Sequence, residues 1–70
     1  MDSLEENIYE LLAQRKLTAR IASIHYGVLL LEGTSSQIGL LKYENHWLLT
    51  ELSSRGIDSI HTIRTRVSRI

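Results

Sequence analysis

The stretch GVLLLEGTSSQIGLLKYENHWLLTELSSRG, from Gly27 to Gly56, reads as a strand, a capped helix and a stop. Val28-Leu29-Leu30-Leu31 is apolar on both alternating faces and too short for a helix, the mark of a buried strand. Gly33 ends it. Thr34 is placed as the N-cap of a helix, with Gln37 at the spacing of a reciprocal capping box. Ile38, Leu41, Leu48, Leu49 and Leu52 then recur at helical steps and make one apolar face, which Asn45 interrupts. Gly56, after Ser53-Ser54-Arg55, suits the left-handed residue that closes a helix. Gly39, inside the helix, weakens it by about 1 kcal/mol relative to alanine and leaves room for close contact with a neighbouring element.

Outward from this unit, the N-terminal side predicts a helix over 3–15, capped by Asp2 or Ser3 and packing through Leu4, Ile8, Leu11 and Leu12. Tyr9 lies off that stripe. Residues 17–24 (LTARIASI) alternate as a strand, and the pattern slips near Ser23-Ile24, where a bulge or an early bend is expected. His25-Tyr26-Gly27 is a tight connection into the next strand, with Gly27 supplying a positive φ. On the C-terminal side, residues 57–70 lack Gly and Pro and are rich in Ile, Thr and Val. His61, Ile63, Thr65 and Val67 share one face of this last strand, and Ile60, Thr62, Arg64 and Arg66 the other.

The order helix, strand, strand, helix, strand predicts a two-layer α+β domain, α-β-β-α-β, with both helices on one face of a three-stranded mixed sheet. A helix connecting the second and third strands makes those two parallel.

Seventy residues make one domain, residues 1–70. A chain this short buries only about 60% of the surface it exposes when unfolded, and without cysteine it has neither a disulfide nor a thiolate metal site. No apolar run reaches the length of a membrane span and the N-terminus is acidic, so a cytoplasmic protein without membrane contact is expected. The formal net charge is zero, but Asp2, Glu5, Glu6 and Glu10 precede every basic residue. At the other end Arg55, Arg64, Arg66 and Arg69 face Asp58 alone. Such a chain is no general polyanion binder, yet one basic strand face could meet phosphate. Lys42, Arg64, Arg66 and Arg69 are the candidate nucleic-acid contacts.

His25, His46 and His61 fall one each on a turn, a helix and a strand and form no metal-ligand spacing. There is no nucleophile elbow, no phosphate-cradling glycine loop and no outstanding carboxylate pair, so neither an enzyme nor a cofactor is expected. Leu40, Tyr43 and Trp47 make a second stripe on the central helix. Tyr43 and Trp47 either pack against the first helix, the reading preferred for Trp47, or stand exposed as partner-binding anchors.

From Gly27 onward the chain resembles the DciA family, bacterial proteins linked to the loading and operation of the replicative helicase. The resemblance rests on Gly27-Val28-Leu29, Thr34-Ser35-Ser36, Leu41-Lys42-Tyr43-Glu44, the pair Leu48-Leu49, and Ile60-His61-Thr62-Ile63-Arg64-Thr65-Arg66-Val67, in that order, and spans roughly residues 17–67. It implies a K-homology-like fold of the second type. It also implies a non-enzymatic role in DNA replication, with the replicative helicase and single-stranded DNA as partners. The chain departs from the family in its neutral charge, in His46 where a proline is common, and in lacking a Gly-x-x-Gly clamp. Two alternatives stand beside this reading: a general nucleic-acid-binding domain of the K-homology type, and a small structural module that forms a weak homodimer through an open last strand.

Overall fold

A computed structural model describes residues 3–68. Helix α1 (Ser3–Gln14) leads into strands β1 (Arg20–His25) and β2 (Val28–Gly33), then helix α2 (Ser35–Ser54) and strand β3 (Thr62–Val67). The sheet order is β1-β2-β3. β2 is central, antiparallel to β1 and parallel to β3, as its helical connection requires. The result is the α+β layout read from the sequence, with one layer of helices on one layer of sheet.

The core lies between those layers. Ile8, Leu11 and Leu12 of α1 meet Ile38, Leu41, Leu48 and Leu52 of α2 over Leu29, Leu31 and Ile63 of the sheet, and all are buried. Leu17, Ala19 and Ile60, from the segments flanking the strands, complete it. Leu4, Trp47 and Leu49 are partly buried against it. Burial of this apolar face, at roughly 25 cal/mol per Å2, is what holds the helices to the sheet.

Both helices stop by the same device. Arg55 caps α2, Gly56 takes φ +79°, and the Gly56 and Ile57 N–H groups bond the Ser53 and Leu52 carbonyls at 2.9 Å. In α1 the corresponding left-handed residue is Lys16, at φ +58°. Its N–H and that of Leu17 reach the Ala13 and Leu12 carbonyls at 3.0 and 2.9 Å. No glycine marks this stop, and a lysine there carries a steric cost of about 1 kcal/mol.

Several local expectations need correction. β1 begins at Arg20 and not at residue 17; Leu17 and Ala19 are buried in the extended approach to it. The register shift falls between Ile21 and Ser23, just before the predicted slip. Thr34 does cap α2, its hydroxyl accepting from the Gln37 N–H at 3.3 Å, but the Gln37 side chain does not return to Thr34. It accepts the Thr18 N–H at 3.0 Å and so fastens the start of α2 to the approach to β1. β3 spans Thr62–Val67 only, so Ile60 precedes the strand and turns into the core, not onto the basic face. No element approaches Gly39, whose missing side chain leaves open space. The proposed Asp2 or Ser3 cap lies outside the residues whose side chains are described.

Candidate functional site

The sheet face turned away from the helices carries the chain's clustered cations. Pairing places Arg20 of β1 opposite Glu32 of β2, and Glu32 opposite Arg66 of β3. Each oxygen of Glu32 holds one guanidinium by two hydrogen bonds. Oε1 accepts from Arg20 at 2.6 and 3.1 Å, and Oε2 accepts from Arg66 at 2.6 and 2.9 Å. The Glu32 side chain is only 12% exposed. Hydrogen bonds from Arg20, then from Arg66, keep its carboxyl below the ordinary carboxylate range. One row across all three strands therefore runs plus, minus, plus.

The next row sets Ser23 and Leu30 beside Arg64, which is exposed. No acid pairs with Arg64 among the described residues. The acids lie elsewhere. Glu5, Glu6 and Glu10 belong to α1, and Glu44 on α2 turns to Arg15 at 3.5 Å. A chain neutral in sum is thus polar in arrangement, basic on the sheet and acidic on α1.

The sequence candidates separate in the structure. Arg64 and Arg66 share the open face, as the alternation of β3 requires. Lys42 is exposed on α2, one turn before Asn45 and on the same side. Asn45 Nδ2 donates to the Ile63 carbonyl of β3 at 3.3 Å, so that side of α2 borders the β3 edge. Lys42 therefore flanks the same strand as Arg64 and Arg66 from the helix layer. Arg69 lies outside the described residues. Arg20 escaped the sequence reading, because only the β1–β2 register brings it to this face.

Tyr43 and Trp47 part company. The Trp47 ring is partly buried against the core, and the Arg15 guanidinium stacks 4.4 Å from its centroid. It is packing that joins α1 to α2. Tyr43 is 88% exposed and does not reach α1, and Leu40 beside it is 51% exposed, so the expectation that Tyr43 packs against the first helix fails. A third aromatic, Tyr26, stands 98% exposed at the β1–β2 turn with φ +51°, next to Gly27 at φ +78°. The two positive φ values give the type I′ geometry that matches the twist of a two-residue hairpin. The His61 ring fills the space where Gly27 has no side chain.

Among the described residues no group of three His, Asp or Glu side chains could hold a metal ion, and no helix is long and apolar enough to cross a membrane. A shallow hollow between the start of α1 and the end of α2 is lined by Leu4, Asn7, Arg55, Ile57 and Asp58. Arg55 there bonds Asn7 at 2.6 Å and Glu10 at 3.1 Å, an interhelical tie. No family model, curated protein or solved structure matches this chain.

Proposed function

We propose that this chain is a non-catalytic interaction domain of the DciA type, contacting a replicative DNA helicase. The observation that carries the reading is where the resembling motifs fall. Gly27-Val28-Leu29 opens the central strand, Thr34-Ser35-Ser36 is the cap and first turn of α2, and the Leu-Lys-Tyr-Glu and Leu-Leu motifs lie within α2. The Ile60–Val67 motif runs through β3. The motifs thus fall in order on the second strand, the long helix and the last strand of an α-β-β-α-β layout. The uninterrupted α2 leaves no place for a Gly-x-x-Gly clamp, which favours a protein partner over nucleic acid gripped in that way. Calorimetric titration of the chain into the helicase of its host tests this, with micromolar affinity expected. No heat and no co-elution at such concentrations would overturn it.

A second reading has its own support: Arg20, Arg64 and Arg66 on one open face, with Lys42 flanking. It makes the chain a binder of single-stranded DNA through phosphate, without sequence preference. Affinity should then fall steeply with salt, and Arg64→Ala should reduce the slope by roughly 0.7 to 1. Salt-independent binding would exclude it.

A further inference from the structure

The two outer strands of the sheet are not equally finished. On β1 the Tyr9 hydroxyl accepts the Ile21 N–H at 3.0 Å, and a bulge follows at once. On β3 the ladder itself shows what is left over. The Thr62 and Ser68 N–H groups donate to the carbonyls of Gly27, just before the central strand, and of Gly33, at its end. In a parallel pair, alternate residues turn both backbone groups the same way. Thr62, Arg64, Arg66 and Ser68 therefore face β2, whereas Ile63, Thr65 and Val67 face outward. Asn45 takes the Ile63 carbonyl. The outward N–H and C=O groups of Thr65 and Val67 meet no other residue among those described.

We propose that this edge receives an extended acidic segment of a partner protein as a fourth strand, with acid, apolar residue and acid in alternation. Charge complementarity selects the occupant. The row Arg20–Glu32–Arg66 alternates in sign and ends on a cation at the open edge, and Arg64 ends the neighbouring row uncompensated. Acids two residues apart on an added strand would stand beside Arg66 and Arg64 and continue the alternation. The residue between them points to the helix side, where Val67 leaves 44% of its surface exposed and Lys42 offers a long aliphatic stem.

A second copy of the chain fits poorly, because antiparallel β3 strands centred on Thr65 would oppose Arg64 and Arg66 of the two copies. Nucleic acid fits poorly as well. Phosphates only accept hydrogen bonds, so the Thr65 and Val67 carbonyls would stay unpaired. Tyr43, the exposed aromatic of α2, lies on the side opposite Asn45.

This inference rests on the interaction role proposed above but not on a helicase as the partner, so synthetic probes test it separately. The isotope-labelled full chain is titrated with a blocked peptide of alternating Glu and Val flanked by Thr, with its Lys-for-Glu counterpart, and with oligothymidylate. The acidic peptide should bind and slow the exchange of the Thr65 and Val67 amide protons. Methylating its alternate backbone nitrogens should abolish that protection. Arg64→Glu, at an exposed position without a partner and checked by an unchanged melting temperature, should weaken the acidic peptide by about tenfold and give the basic peptide measurable affinity. Equal affinity for both peptides, protection at β1 instead, stronger protection by oligothymidylate, or occupation of the edge by self-association would each overturn the proposal.

Discussion

β1 and β3 are edge strands of the same length, and they are finished by opposite means. Side chains cover β1: Tyr9 of α1 reaches to the Ile21 N–H, Gln37 of α2 takes the Thr18 N–H just before the strand, and a bulge breaks its flatness. Among the described residues β3 has only Asn45, which satisfies the Ile63 carbonyl and leaves the rest of the edge open beside Lys42, Arg64 and Arg66. Natural edges are protected from stray pairing by cover, by irregularity or by charge. β1 uses the first two and β3 the third. Charge differs from cover in one respect: it repels like strands while attracting unlike ones, so an edge guarded by cations remains open to an acidic guest.

The comparison breaks most decisively if α1 comes loose. Trp47 and Arg15 join α1 to α2, and Trp47→Ala should destabilise the fold by about 3 kcal/mol, read as a denaturation midpoint. An unchanged midpoint would mean that α1 is held without this contact.

Glu32 acts on both edge strands at once, since it ties Arg20 to Arg66. Its carboxyl is held low in the folded chain, so the stabilisation is full above the unfolded value of about 4.3 and is lost as pH falls through the folded value. Melting temperature should therefore drop on acidification below about pH 4.3, and Glu32→Gln should be less stable at neutral pH and flatten that decline. A mutant that tracks the wild type at every pH would show the pair of arginine forks to be idle.

Smaller effects separate the edges individually. Tyr9→Phe removes the acceptor for the Ile21 N–H and should cost about 1 kcal/mol, with faster amide exchange at Ile21 and none at Thr65. Asn45→Ala should cost a similar 1 kcal/mol or so and open the β3 edge by one more carbonyl, leaving β1 unaffected. The smallest change runs the other way. Lys16→Gly relieves the left-handed strain at the end of α1 and should stabilise by roughly 0.5 to 1 kcal/mol in a chemical denaturation curve.

What the sequence made legible is what is local. The spacing of Ile38, Leu41, Leu48 and Leu52 defines the buried face of α2, Thr34 and Gly56 bound that helix, and alternation puts Arg64 and Arg66 on one face of β3. The candidate site was only half legible, because its organisation depends on register. Arg20 and Glu32 are 12 positions apart and Glu32 and Arg66 are 34 apart, so nothing in their own neighbourhoods announces that they meet. Tyr9 stands off the apolar stripe of α1 for a reason that spacing cannot express: its side chain stays exposed while its hydroxyl serves a strand. Asn45 interrupts the inner stripe of α2 for a parallel reason, since it serves the other edge strand. The left-handed Lys16 and Tyr26 had no signal either, because residues that pay for a positive φ look like any others.

If the partner is the proposed replicative helicase, the cationic β3 side, and not the hairpin tip or the acidic helix α1, is the face we propose it meets. The most direct test is an amide-resolved titration of the labelled chain with that helicase. Saturable binding in the micromolar range is expected, with signal changes concentrated at Thr65, Val67 and Lys42 and weakened by Arg64→Glu. Binding that maps to Tyr26 and α1, or no binding at all, would contradict it.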